Sequence, residues 1–419
     1  MPSPEPDAAG VGARRAALQM LDSVLRQGRT LDAAAEGARG LAAPDHALAI
    51  AIAGEALRRL PDLDALIDSA TQRALPDDSK ARMVLRLALA QKIGLGTPDH
   101  ALVATALPLV DGGPRRLVHG VLGTLLRKGV PVAEAPRLPE PVEQRWRAAW
   151  GDGVVEAARR QIAKRAALDL SFADDAAAQA YALEHGGISL APGHVRLPES
   201  SAVRELAGFG QGGWWVQDLA ASLAARLIPK SAETVLDLCA APGGKTMQLA
   251  AAGHRVTSVD NSKSRLARIS ENLARTRLTA ELVAADAEKW EPKGRFDAIL
   301  LDAPCSATGT FRRHPEVLYR ARPQIIDERA RLQAKLLERA AQWLNPGGAL
   351  VYSVCSLEPE EGEDRLAEFL TAQRDWRVDQ PAELPDFVTA DPSGAARILP
   401  GLLEEEGGLD GFFLARLKP

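Results

Sequence analysis

Three thiols, Cys239, Cys305 and Cys355, stand in a chain of 419 residues, all in its C-terminal half. They lie far apart and make no paired metal spacing, so chemistry suits them better than a disulfide framework. Phe296-Asp-Ala-Ile-Leu-Leu301 reads as an apolar strand ending in Asp302-Ala-Pro-Cys-Ser306, and Ala349-Leu-Val-Tyr352 as another ending near Cys355-Ser356. In a doubly wound sheet both strand ends fall on the ligand-binding edge, which places Cys305 and Cys355 beside one site. The commonest fate of a free cysteine is that of a small buried hydrophobe. That reading is kept for Cys239, whose backbone lines a turn.

The turn is Val-Leu-Asp-Leu-Cys-Ala-Ala-Pro-Gly-Gly-Lys-Thr (235–246), where a short apolar run stops at Pro-Gly-Gly and good helix formers follow. A buried strand feeding a helix fits this pattern, with Gly243 and Gly244 letting a ligand approach the backbone. A phosphate-binding loop needs a glycine where Cys239 stands, and the Gly-x-Gly-x-x-Gly dinucleotide fingerprint is absent. Asp237, just ahead of the turn, suits a cofactor with an amino group and no phosphate, namely S-adenosylmethionine. Asp260 ends the next predicted strand, at the distance where nucleotide folds bind a ribose diol. Asp286 ends a third. One such Asp alone reads as a helix cap; a carboxylate at each successive strand end is harder to obtain by chance.

Methyl transfer gives two strand-end thiols work. An exocyclic amine needs only positioning, whereas carbon 5 of a pyrimidine is a poor nucleophile. A thiolate adding to carbon 6 builds carbanion character at carbon 5, which takes the methyl group; a base then removes the carbon 5 proton and the thiol leaves. Cysteine attacks and departs readily near neutral pH once its pKa is depressed.

The elements that position these groups follow from periodicity and composition. The length predicts two or three domains. The Pro-Ser-Pro-Glu-Pro start reads as a short disordered arm, and no apolar segment has the length of a signal peptide or membrane span, so a cytoplasmic protein is expected. From Ala13 to about Lys128 apolar residues recur at threes and fours, which predicts an all-helical domain. Prolines 131, 136, 139 and 141 mark a linker, and a new unit begins near Trp146. Trp146 and Trp150 with Arg159, Arg160, Lys164 and Arg165 fit an RNA-facing helix or a core stripe with a solvated face, and neither is preferred. Net charge is only −4, so no global signal points to nucleic acid. Locally, 311–331 carries six arginines against three acids, a patch suited to phosphates.

Four stretches, Asp-Leu-Cys-Ala-Ala-Pro-Gly-Gly-Lys-Thr (237–246), Asp-Ala-Pro-Cys-Ser (302–306), Arg-Arg-His-Pro-Glu (312–316) and Tyr-Ser-Val-Cys-Ser (352–356), resemble the Nol/Nop/Sun family of RNA cytosine-C5 methyltransferases. The C-terminal Asp-Gly-Phe-Phe-Leu-Ala-Arg-Leu (410–417) is similar too. Leu-Arg-Leu-Ala-Leu-Ala (85–90) and Leu-Val-His-Gly-Val-Leu-Gly-Thr-Leu-Leu-Arg (117–127) resemble the NusB-like RNA- and protein-binding domain, though His119 replaces its usual asparagine.

The resemblance to the Sun/Fmu branch implies an α/β class I methyltransferase with a mostly parallel, Rossmann-like seven-stranded sheet at 230–419. It also implies an all-α NusB-like domain at 1–130, a linker at 131–143 and a small α+β RNA-binding subdomain at 144–229. It implies methylation of small-subunit ribosomal RNA, with Cys355 as nucleophile and Cys305 assisting proton removal and release. Cys239, Ala240, Ala241, Pro242, Gly243, Gly244, Lys245, Asp260, Asp286 and Asp302 are expected to bind S-adenosylmethionine. Arg312, Arg313 and His314 are expected to face a flipped-out base and its phosphates. No metal is implied, and a monomer with RNA as partner is expected. Departures are Val354 for threonine, Gly362 for asparagine, and Leu-Asp-Leu-Ser-Phe (168–172) where relatives carry an Arg-x-Asn element. A non-catalytic RNA-binding assembly factor and an amino-methylating enzyme are the alternatives, and both leave the thiols without work.

Overall fold

A computed structural model describes residues 10–131, 133–198, 203–379 and 384–419. The expected N-terminal arm, 1–9, and Val132 of the expected linker lie outside them. The chain divides into two compact units: one runs to Lys164 and includes Phe311–Ala321, and the other comprises Arg165–Thr310 and Arg322–Pro419. Among the described residues no helix is long and apolar enough to cross a membrane.

The first unit is helical, as periodicity predicts. Val11–Gln27, Ala43–Arg58, Lys80–Gly94 and Gly112–Lys128 are its longest helices. Met20, Leu21, Ile52, Leu57, Leu85, Leu89 and Leu122 are buried in their shared core. Helix limits follow local chemistry: Ser79 and Thr30 accept amide hydrogen bonds at N-caps, and Gly28 ends its helix at φ 67°. Two boundaries differ from expectation. Pro139 and Pro141 do not mark a loop, because proline is tolerated in the first helical turn and they open the helix Glu140–Trp150. That helix and Asp152–Ala163 belong to this unit, with Trp146 buried against Phe311 at a centroid distance of 5.5 Å.

The second difference is the segment Phe311–Ala321, assigned by sequence to the methyltransferase domain but packed with the helices. Glu316 accepts from the Leu31 amide at 3.1 Å, the Tyr319 hydroxyl donates to the Leu57 carbonyl at 2.8 Å, and the Arg320 guanidinium donates to the Gly28 carbonyl at 2.7 Å. Tyr319 also rests on the helical core. Chain continuity placed this segment wrongly because its anchors lie in the distant N-terminal sequence.

In the second unit, Leu168–Ser171 (β1), His194–Leu197 (β2) and Trp215–Val216 (β3) form a three-stranded antiparallel sheet in the order β2-β1-β3. Asp169 on β1 pins it. Its carboxylate accepts two bonds from Arg196, both 2.7 Å, and one from the Leu219 amide at 3.0 Å. Burial opposes the charge, but the hydrogen bonds from Arg196, together with the nearby His194, 3.3 Å away, hold the carboxyl well below its usual range.

The main sheet comprises Thr234–Leu238 (β4), Arg255–Asp260 (β5), Glu281–Ala284 (β6), Phe296–Asp302 (β7), Leu344–Val354 (β8), Arg377–Val378 (β9), Ala396–Ile398 (β10) and Phe412–Lys418 (β11). Its order is β10-β11-β8-β7-β4-β5-β6, seven strands as expected, with two-residue β9 pairing with β11 as an eighth. The five strands from β6 to β8 are parallel and β11 is antiparallel to β8. The order reverses at β4, so the cleft beyond its carboxyl end lies at a topological switch point. Leu236, Leu238, Ile299, Leu301 and Leu350 are buried on one face of the sheet, and Val235, Leu300 and Val351 on the other.

Replacing Asp169 with Ala strands the buried Arg196 and should destabilise the protein by about 3–5 kcal/mol. Urea denaturation of the full chain measures this, and a loss under about 1 kcal/mol would show that the pair behaves like a surface bridge.

Candidate active site

Each chemical group of the site sits one to three residues past the carboxyl end of a parallel strand, or closes the strand itself. β4 ends before Cys239, β5 ends in Asp260, β6 precedes Asp286, β7 ends in Asp302, and β8 runs into Cys355. Together they open a cavity of about 470 Å³. Cys239, Ala241, Asp260, Asp286, Asp302, Cys305 and Cys355 all line it, joined by Arg265 and Arg329, which sequence reasoning had not assigned to the cofactor cleft.

Ala240, Pro242, Gly243, Gly244 and Lys245 are not in the lining; they shape it from behind. The glycines also have a packing role. A Cβ at Gly243, where φ is 100°, would lie 2.8 Å from the Ile269 side chain, and one at Gly244 3.3 Å from Gln217. Glycine is required there for packing and for the left-handed start of the helix Gly244–Ala251. Cys239 has φ 61°, and burial, before nearby Asp302, raises its thiol pKa, so its inert reading fits.

The carboxylates differ in their partners. Asp237 is wholly buried; one oxygen accepts from Thr246 at 2.6 Å and the other, Oδ1, has no partner among the described residues. Burial pushes its pKa up to about 7. An orphaned buried carboxylate oxygen at this strand end fits the ammonium group of S-adenosylmethionine. Asp260 accepts from the Ala241 and Ser262 amides at 3.2 and 2.8 Å and pairs with Arg265 at 3.0 Å, which fixes its side chain and leaves acceptor capacity for a ribose hydroxyl. Asp286 accepts from the Glu288 amide at 3.0 Å in an Asx-type turn on the cavity, and no helix follows for it to cap.

Asp302 joins the turn to the thiols. It accepts from Lys245 Nζ at 2.7 Å and from Ser353 Oγ at 2.8 Å. Burial alone would lower the Lys245 pKa, but the charge and hydrogen bond of Asp302, then the Cys355 sulfur, raise it, so the ammonium persists in a dry setting. The Cys305 and Cys355 sulfurs are 3.5 Å apart. The hydrogen bond with Cys355, then burial, raises the Cys305 thiol well above its usual range.

Behind the thiols stands a group the sequence reading missed. Glu361 is fully buried and accepts from the Ser306 amide at 2.8 Å and from the hydroxyls of Ser306 and Ser356, both at 2.5 Å. The available signal was the repeated Cys-Ser pair, 305–306 and 355–356, whose serines could share one acceptor.

The expected RNA contacts lie in the other unit. Arg312 is 2% exposed, which removes it from the side chains able to meet a phosphate directly. Arg313 and His314 are half-buried, and His314 lies 3.7 Å from Glu316, whose carboxylate raises the imidazole pKa. His119 is exposed on its helix and Trp146 is core.

Sheet order, switch-point cleft and helical partner unit define a class I methyltransferase joined to a NusB-like domain. The model for "16S rRNA methyltransferase RsmB/F" matches residues 224–418 and that for the NusB family residues 12–127. Ribosomal RNA small subunit methyltransferase B of Xanthomonas campestris pv. campestris is 36% identical over 442 residues, covering 100% of this chain and 99% of that one. Its counterpart in Erwinia tasmaniensis is 33% identical, covering 96% and 97%. The solved structure of PH0851 superposes with a TM-score of 0.74 at 23% identity over 99% of this chain and 100% of its own, a likeness of fold. The chain therefore belongs to the ribosomal RNA small subunit methyltransferase B family and is an RNA methyltransferase.

Only ionised Asp237 pairs with a cation, so S-adenosylmethionine should bind severalfold more tightly at about pH 7.5 than at about pH 6. Asp237→Asn should flatten that trend. Calorimetry at the two pH values checks it, and equal affinities in the unaltered protein would remove Asp237 from ammonium recognition.

Proposed function

We propose that this enzyme transfers a methyl group from S-adenosylmethionine to carbon 5 of a cytosine in small-subunit ribosomal RNA, with Cys355 as the covalent nucleophile. The observation that carries the reading is the pair of sulfurs 3.5 Å apart on the cavity that Asp260, Asp286 and Asp302 also line. Family membership supports an RNA substrate, and the relatives' name specifies the small ribosomal subunit.

The cofactor, when bound, supplies a methyl group on a positively charged sulfur. The chain's own residues do the rest. Lys245, held by Asp302, puts a positive charge near Cys355. The Cys355 thiolate forms a bond to carbon 6, and the electron pair of the 5,6 double bond moves to carbon 5, where the methyl group is accepted. The carbon 5 proton then passes to the Cys305 thiolate, the pair left at carbon 5 re-forms the 5,6 double bond, and the bond from carbon 6 to Cys355 breaks with its electrons, releasing the Cys355 thiolate. Asp302, locked by Lys245 and Ser353, is placed to accept a hydrogen bond from the cytosine ring. A methyltransferase acting on an amine has no use for two sulfurs at this distance.

Arg313 and His314 are the members of the Arg-Arg-His stretch with surface left to meet RNA.

Bisulfite sequencing of ribosomal RNA from cells with and without the gene should reveal one 5-methylcytosine that depends on it. Restoring the gene with Cys355→Ala should leave the position unmethylated. A site restored by that variant would exclude Cys355 as nucleophile, and no missing 5-methylcytosine at all would refute the carbon 5 assignment.

A further inference from the structure

Two sulfurs in contact pose a problem that neither thiol solves alone: one must hold a proton while the other attacks, and both loops must keep that spacing. Each cysteine is followed by a serine, and both serines lead to one side chain. Ser306 and Ser356 bond Glu361 through their hydroxyls, Ser306 again through its amide, and Gln333 approaches the same carboxylate at 3.3 Å. Glu361 is anchored in turn, since the Tyr352 hydroxyl donates to its carbonyl at 2.5 Å. Further bonds stitch the loops: the Gly309 amide donates to the Cys355 carbonyl at 3.0 Å and the Leu357 amide to Thr308 Oγ1 at 2.9 Å. Gly309 itself admits no side chain, because a Cβ there would lie 2.0 Å from the Gly411 carbonyl oxygen.

The charges around the sulfur pair are unequal. The Lys245 ammonium, bonded to Asp302, acts on Cys355. After the Cys355 hydrogen bond and burial, the charges of Cys355 and Glu361 push the Cys305 thiol upward. Asp302 and Arg329 line the same cavity as Cys305, the charges of Cys305, Glu361, Arg365 and Arg397 act on Tyr352, and that of Glu358 acts on Glu361.

We infer that Glu361 is a positioning residue for the methyl transfer: its buried carboxylate clamps the two cysteine loops together and keeps the shared proton on Cys305, leaving Cys355 as the sulfur that attacks. The inference rests on the two-thiol reading proposed above. A buried carboxylate replaced by Gln keeps much of the hydrogen bonding and loses the charge, which separates the two halves of the role. Once Cys355 is bonded to carbon, its hydrogen bond and charge no longer raise the Cys305 thiol, which then gives its proton to solvent in the cleft and, as a thiolate, accepts the carbon 5 proton in the later step.

The test measures iodoacetamide alkylation of Cys305 against pH by peptide mass spectrometry in the full-length protein, with Cys355→Ser as background. Glu361→Gln should lower the half-reaction pH of Cys305 by about one unit. In the Cys355-containing enzyme the same change should reduce kcat for RNA methylation at least tenfold with KM for RNA unchanged. Should Glu361→Gln not fold, as judged by its thermal melt, Ser306→Ala and Ser356→Ala keep the carboxylate and each remove one hydroxyl bond. Both should then lower kcat without moving KM, and unchanged kcat in both would overturn the clamp. An unmoved Cys305 profile with wild-type kcat in folded Glu361→Gln overturns the inference outright. An active Cys355→Ala enzyme would instead bring down the two-thiol reading beneath it, so the two failures are distinguishable.

Discussion

The site depends on the parallel register of β7 and β8. Leu301 pairs with Tyr352 and Asp302 with Ser353, so both strands leave the sheet level with one another. Cys305 follows Asp302 by three residues and Cys355 follows Ser353 by two, and side-by-side exit brings the sulfurs into contact across a large separation in sequence. Slipping a strand by one residue turns every side chain to the opposite face, which would carry the thiol off the cleft along with the core residues. The apolar runs of β7 and β8, buried on both faces of a parallel sheet, therefore set the chemistry as well as the stability. The Ser353–Asp302 hydrogen bond at 2.8 Å ties the same register to the carboxylate that holds Lys245.

A dry site makes the placement of charge decisive. Three carboxylates lie buried or half-buried at the carboxyl ends of β4, β5 and β7, and they differ by what meets them. Asp260 is satisfied by amides and Arg265, Asp302 by Lys245 and Ser353, while Asp237 keeps one oxygen without a partner among the described residues and its pKa rises to about 7 through burial. An unpaired buried acceptor costs folding energy and is retained where a ligand completes it. Lys245 and Glu361 extend the same logic to the sulfurs, placing opposite charges on the two sides of one hydrogen-bonded pair.

Much of this was legible from residues alone. Apolar runs ending in Asp302, Asp260 and the Cys239 turn gave the parallel strands and their common edge, because strand ends and glycine-rich turns are local signals. Period and length gave the helical unit. What escaped was set by distant partners. Nothing near Phe311–Ala321 announces that Leu31, Leu57 and Gly28 hold it. Pro139 and Pro141 are ambiguous by type, since proline both breaks a helix and begins one. Nothing near Gly243 announces that the Ile269 side chain packs where its Cβ would stand. Glu361 looks like an ordinary surface acid beside Glu360, and only the fold shows it beneath two hydroxyls. The fold class and the thiol pair thus come from local pattern, whereas the clamp and the domain limits come from tertiary contact.

The central claim is that two touching sulfurs divide the labour, Cys355 attacking and Cys305 acting after methyl transfer. Denaturing electrophoresis of each single Cys→Ala variant, incubated with substrate RNA and S-adenosylmethionine, tests it most directly. A denaturant-stable protein–RNA species should accumulate with Cys305→Ala and be absent with Cys355→Ala. The reverse pattern would make Cys305 the nucleophile and contradict the assignment that the family resemblance implies.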